Sequence, residues 1–383
     1  MRLKLRFDDK SMKDSLDIVL CSLLRVALGV TQEFPYTLTE AEWQSLFAMA
    51  KAQTVLGVAY KALSRLPAGV RPPRILSIRW SGAVETLRGV NRQMNEEAAR
   101  YTRLFAERGF RSVILKGQAN ARLYPDPFSR QAGDIDIWVP GGYDKVERLM
   151  LDMGLISESN DAFKVSHHIC FRNENGVEIE VHHRPAEVLF RDAEFQRVLL
   201  TESENSVLVS EGFFSPSIRF ALLMQLEHLY YHFRHEGVGL RHFMDYYVLL
   251  THSTDADREF MRECIGRFGL GHACAGIMWV LGEVFALPRE QMICAPDKGR
   301  GKCLYKIVME GGNFGRSSSK RGGRDAANTR GNRSVFKRWL GNRRRALSWF
   351  MFDPLNTVLG ELHYWKATLS LMPERIRCRK ISL

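Results

Sequence analysis

The chain has no Cys-x-x-Cys pair. Its seven cysteines, at positions 21, 170, 264, 274, 294, 303 and 378, are scattered and odd in number, which speaks against a disulfide framework and for reduced thiols in the cytoplasm. Long apolar runs are missing too. The best stretch, Leu16 to Val30, is short and broken by Arg25, so no transmembrane segment is expected. The opening residues, Met-Arg-Leu-Lys-Leu-Arg-Phe-Asp-Asp-Lys, lack the apolar centre of a secretory signal. No internal repeat is visible.

What is present is enough apolar material for packed cores: 45% of 383 residues, a length that predicts two or three domains. The pattern from 12 to 108 is helical. Thr39-Glu40-Ala41-Glu42 has capping-box spacing before Trp43, Leu46, Phe47 and Ala50. A longer helix from about Val84 is expected to end at Gly109, and another runs from Asp144 to Met153 before Gly154. Further helices are predicted over Ser217 to Phe233, Phe243 to Leu250 and Ala273 to Phe285. The expected division is an N-terminal helical lobe (1–98), a compact α/β core (99–208), a second helical lobe (209–310), and a basic loop with a C-terminal helical segment (311–383).

The chemistry concentrates in the core. Gly133 to Val139 reads as a short strand, in which Asp134 and Asp136 share one face and Ile135 and Ile137 the other. Two carboxylates roughly 6 to 7 Å apart along a strand repel unless a counter-charge intervenes. A pair of divalent cations bridged by carboxylates meets that need, and magnesium suits hard oxygen ligands and phosphates. The plainer reading is a solvated strand at a sheet edge. Upstream, Ser112 to Leu115 enters Lys116-Gly117-Gln118, where a glycine after a strand lets backbone and lysine face an anion. Downstream, Asn173-Glu174-Asn175-Gly176 carries the Asn-Gly hairpin signal between strands Val165 to Arg172 and Val177 to His183. Glu178, Glu180 and His182 then lie on one face; Glu180, mid-strand, is the third acid, while Glu178 reads as an exposed hairpin end.

Leu115-Lys116-Gly117, Leu123-Tyr124-Pro125-Asp126-Pro127, Arg130, Gly133-Asp134-Ile135-Asp136, His167-His168 and Glu180-Val181-His182 together resemble the nucleotidyltransferase superfamily, in particular its bacterial "uncharacterised nucleotidyltransferase" branch, where Lys-Gly replaces Gly-Ser or Gly-Gly. His228 to His232 and Gly239 to Asp245 are similar to that branch as well, so the match spans roughly 100 to 250. The resemblance implies an α+β fold, a small mixed sheet flanked by helical lobes, that moves a nucleoside monophosphate from a nucleoside triphosphate to a hydroxyl acceptor. It implies that Asp134, Asp136 and Glu180 are catalytic and hold two Mg2+ ions, that Lys116, Gly117, Gln118 and Arg130 meet the triphosphate, and that His182 lines the acceptor pocket. The chain departs from the pattern at Gln118, where a small residue is usual, and at His183, where that branch often has Trp.

His167-His168 and His182-His183 put four imidazoles on neighbouring strands. Adjacent strand residues point to opposite faces, so at most one of each pair is expected to converge, which argues against a zinc site. His228 and His232, at i,i+4 without the Glu of a His-Glu-x-x-His pattern, read as hydrogen-bonded core or helix-surface residues. Arg241 and Asp245 read as a helix-face ion pair. From Gly311 to Arg345 eleven Lys or Arg stand against the single Asp325, so +10 of the formal +12 is local. Within Gly311 to Phe352, Gly311 to Ser334 reads as a mobile loop and Phe336 to Phe352 interleaves aromatics with cations, a pattern for nucleic acid or an anionic membrane surface, or for a helix packing its aromatics inward. Three functions follow: transfer to a small molecule, sugar or protein; modification of RNA; or a silent nucleotide-binding or membrane-associated module.

Overall fold

The computed structural model describes residues 16–157, 163–164, 167–235, 237–311, 350, 352–354, 356–360 and 362. The basic segment from 312 to 349 lies outside the described residues, as does Val165 at the expected start of a hairpin strand. Among the described residues no helix is long and apolar enough to cross a membrane.

Among the described residues four α-helices precede the sheet: α1 (Leu16–Leu28), α2 (Glu40–Ala52), α3 (Leu56–Leu63) and α4 (Arg74–Glu107). The apolar run at the start is a core helix, with Leu20, Leu23, Leu24 and Val26 wholly buried. The Thr39 and Glu42 capping box is formed in both directions. Helix α4 starts ten residues earlier than periodicity suggests, directly after Pro73, and runs 34 residues through Gly82 and Gly89. Packing overrides the poor helix propensity of glycine there: Trp80 is fully buried and its indole N–H donates to the Leu56 carbonyl at 3.0 Å.

The middle of the chain forms a five-stranded mixed sheet. Its strands are β1 (Val113–Ile114), β2 (Ile135–Trp138), β3 (Phe163–Lys164), β4 (His168–Arg172) and β5 (Glu178–His182), in the order β1-β2-β5-β4-β3. The short α5 (Gln118–Ala121) follows β1, and α6 (Tyr143–Asp152) is part of the crossover from β2 to β5, the one parallel pair. The hairpin turn between β4 and β5 is clamped to α4: the Asn173 and Asn175 side-chain amides both donate to the buried Glu97 carboxylate. One face of the sheet packs Ile135, Ile137, Ile179 and Val181 against Met94, Ala98, Tyr101 and Phe105 of α4.

Helix α7 (Asp192–Ser203) and a small hairpin, β6 (Val207–Leu208) with β7 (Phe214–Ser215), lead to α8 (Ile218–His235), α9 (Leu240–Thr251), α10 (Asp255–Arg267), α11 (Gly271–Phe285) and α12 (Lys298–Gly311). The fold is therefore the α+β arrangement of a small sheet among helices. The helices on either side of the sheet in sequence share one apolar cluster, in which Leu20 and Trp80 belong with Phe243 and Val280.

Helix α3 presses on the 3-10 turn Pro127–Ser129, which leads into β2. At Gly57 an added Cβ would lie 2.3 Å from the Ser129 carbonyl oxygen and 2.7 Å from Leu87. Because the first obstacle is backbone, Gly57→Ala is expected to destabilise the protein by about 1–3 kcal/mol, read as a lower midpoint in denaturant unfolding; an unchanged midpoint would contradict this packing.

Candidate active site

The β2 and β5 register sets Asp136 beside Glu180 and Trp138 beside His182, while β4 brings His168 opposite His182. Asp136 is only 1% exposed, and a carboxylate so buried stays ionised only with cations at hand. One lies close by: Lys116 Nζ is 3.1 Å from its Oδ1, and His182 Nε2 contacts the same atom at 3.0 Å. Burial opposes ionisation of Asp136, but Lys116 and His182 outweigh it and hold the carboxyl far below the usual range. Its second oxygen, Oδ2, is buried without a hydrogen-bond partner among the described residues.

Lys116 follows β1 and reaches across to β2. Its ammonium also donates to His228 Nε2 at 2.7 Å. Burial lowers its pKa, yet Asp136, Asp134 and Glu180 raise it further, so it stays charged; His228 is driven well down by burial and Lys116, leaving a neutral imidazole that accepts. Gly117 adopts φ +58°, ψ −107°, a backbone shape that side-chain-bearing residues resist. Glu180 is pushed up to about 7, first by burial and then by the Asp136 and Asp134 charges, against a contact with His182 at 3.4 Å.

Asp134 stands just before β2, and both aspartates line a cleft with Lys116, Gly117, Arg130 and Gly133. The far wall comes from α8 and α9: Gln225, His228, Leu229, Arg241, His242 and Asp245. Here the structure corrects one expectation. Asp245 takes its bidentate partner not from Arg241 on its own helix but from Arg130, with Nε and Nη2 each 2.8 Å from its oxygens, and accepts a third bond from the Tyr124 hydroxyl at 2.7 Å. Arg241 donates instead to the Gln131 carbonyl at 3.0 Å, and its Nη1 lies beside Gly133. Burial and the neighbouring Arg130 lower its pKa against the opposing charges of Asp245 and Asp134.

Of the residues singled out by sequence, Lys116, Gly117, Arg130, Asp134 and Asp136 meet in this cleft. Glu180 and His182 stand beside Asp136 in the sheet. His182, expected in an acceptor pocket, is 3% exposed and lies between the two carboxylates, outside the residues lining the cleft. The Gln118 side chain turns inward to α4, donating to the Asn91 carbonyl and to Asn95 Oδ1. Glu178 is exposed and pairs with Arg172 at 2.9 Å. Sequence reasoning missed Arg241, His228 and His242 as cleft residues; the available signal was charged and imidazole side chains on otherwise apolar helix faces. It also misjudged the histidine pairs. His182 and His183 do part, His183 turning to Tyr143, but His167 and His168 both approach His182, because His167 sits in a bend before β4 and escapes strand alternation.

Residues 39–286 match the family model described as "Uncharacterised nucleotidyltransferase", more than half of the 383-residue chain. The chain belongs to this family. No match was found among curated proteins. The crystal structure of an antigenic nucleotidyltransferase-like protein from Paracoccidioides brasiliensis is 17% identical, covers 47% of this chain and 91% of its own, and superposes with a TM-score of 0.28, a likeness too slight to carry an argument. In this chain Asp136, Glu180 and His182 bring ligating atoms within 4.8 Å of one another.

Two outcomes follow from the electrostatics. Asp245→Ala strands the buried Arg130 guanidinium, so a loss of about 3–5 kcal/mol is expected in denaturant unfolding, whereas replacing Arg130 and Asp245 together by apolar residues should cost much less. Glu180 binds its proton more tightly folded than unfolded, so its contribution is fully present below about 4.5 and is lost as pH rises towards about 7. In chelator-treated protein, Glu180→Gln should therefore flatten the fall in melting temperature between those pH values; an identical slope would exclude Glu180 as its source.

Proposed function

We propose that the chain is a magnesium-dependent nucleotidyltransferase that moves a nucleoside monophosphate from a nucleoside triphosphate to a hydroxyl acceptor, which could be a small molecule, a sugar or a protein. The observation that carries this reading is the cleft itself: Asp134 and Asp136 on one wall, Lys116 and Arg241 around it, and a buried Asp136 oxygen without a partner. Family membership supports the triphosphate as substrate.

The donor set fits Mg2+. Asp134, Asp136 and Glu180 supply hard oxygens, and the unpartnered Oδ2 of Asp136 is the kind of atom a cation satisfies. Bound there, Mg2+ would neutralise phosphate charge and lower the pKa of a coordinated hydroxyl. The chain's own residues do the rest. Lys116 and Arg241 place positive charge on the cleft wall where phosphate oxygens gain charge. Gly117 lets the backbone approach closely. The acceptor oxygen attacks the α-phosphorus, the bond to the bridging oxygen breaks, and pyrophosphate leaves. Glu180, beside Asp136 in the sheet, takes up the acceptor proton, with His182 contacting its carboxylate at 3.4 Å.

The test is incubation of purified protein with each α-labelled nucleoside triphosphate, Mg2+ and a cell extract. Label should transfer to an acceptor with release of pyrophosphate, and Asp134→Ala/Asp136→Ala should cut this by at least about 10²–10³-fold. Transfer that persists in the double variant, or no pyrophosphate from any nucleotide, would sink the proposal.

A further inference from the structure

Beside the carboxylates the sheet carries a second cluster. His167, His168 and His182 each bring a ring nitrogen within 4.8 Å of the others. Their ring centroids are 4.6 Å (His167 to His168), 4.9 Å (His168 to His182) and 5.5 Å (His167 to His182) apart. The pairing of β4 with β5 sets His168 across from His182. The bend at His167 is held by its carbonyl, which accepts from the His183 and Arg184 amides at 3.1 and 3.3 Å.

His168 and His182 share an orientation. Each turns Nε2 towards a carboxylate, His182 to Asp136 at 3.0 Å and His168 to Glu180 at 3.6 Å. Each leaves Nδ1 buried with no hydrogen-bond partner among the described residues, and His182 as a whole is 3% exposed. Unpaired buried nitrogens are unfavourable, and two of them in rings this close, with a third imidazole alongside, call for a common partner. A histidine that faces a carboxylate through one nitrogen and binds metal through the other is the usual second-shell pattern of zinc centres.

We propose that His167, His168 and His182 bind one divalent transition-metal ion of the zinc class, at a site distinct from the magnesium carboxylates and joined to them through His182. Imidazole nitrogen favours such ions, whereas magnesium favours the oxygens of Asp134, Asp136 and Glu180, so ligand chemistry separates the two sites. Nitrogens about 2.0–2.1 Å from a tetrahedral ion lie about 3.3 Å apart, so small side-chain rotations close the cluster. Three imidazoles leave a fourth position for water or an exogenous ligand. The proposal does not rest on nucleotide transfer and stands or falls separately from it.

The test uses untagged full-length protein, stripped of metal and titrated with Co2+ in excess Mg2+, which occupies oxygen sites. One equivalent of Co2+ should bind with visible absorption typical of nitrogen-rich tetrahedral coordination, and Zn2+ should displace it. His167→Gln and His168→Gln should each weaken binding at least about tenfold, while Asp134→Asn leaves it unchanged. No Co2+ binding, or binding that survives both histidine substitutions and disappears in Asp134→Asn, would overturn the site. X-ray absorption of the Zn2+-loaded wild-type protein needs no variant: imidazole scattering is expected, and an all-oxygen shell refutes the proposal.

Discussion

The ionised, fully buried Asp136 is the charge around which the site is organised. Taking a carboxylate out of water costs several kcal/mol unless cations accompany it. The cation, Lys116, arrives from the end of β1 and a second partner, His182, from β5, the two strands that flank β2. The strand order is thus also a charge arrangement. Lys116 is in turn held by His228 of α8, so the helical layer over the sheet is tied to the same carboxylate.

A second buried pair fixes the approach to β2. Arg130 is clamped by Asp245 of α9 through two parallel bonds, and its carbonyl, with that of Phe128, accepts from the Asn91 amide of α4. The loop that delivers Asp134 is consequently held from both sides, by a helix before the sheet and a helix after it. Such bracing holds acids and cations at set positions before any ligand arrives, which is what chemistry based on positioning and electrostatics requires.

Much of this was readable in advance because it depends on neighbours in sequence. The Asn-Gly hairpin, the capping box at Thr39, the strand with its Asp-x-Asp and the glycine after Lys116 are local signals, and family resemblance followed from their order. The start of α4 was not readable: Gly82 and Gly89 weaken a helical pattern, and only the burial of Leu76 and Trp80 shows why the helix persists. Arg241 and Asp245 have helix-pair spacing, yet the real partner of Asp245 is 115 residues away. His167 and His168 should part if both were in a strand; one of them is not.

By itself, the sequence determined which polar groups are gathered in the middle of the chain, namely three acids, a lysine, a strand-end glycine and two histidine pairs, and the local elements that carry them, because periodicity and turn chemistry act over a few residues. Only the tertiary structure decided which charge answers which: Lys116 and His182 with Asp136, Arg130 with Asp245, Arg241 and His228 facing the cleft. The strength of a buried ionic contact depends on which side chains share the same water-excluded space, and that is set by packing across the whole chain.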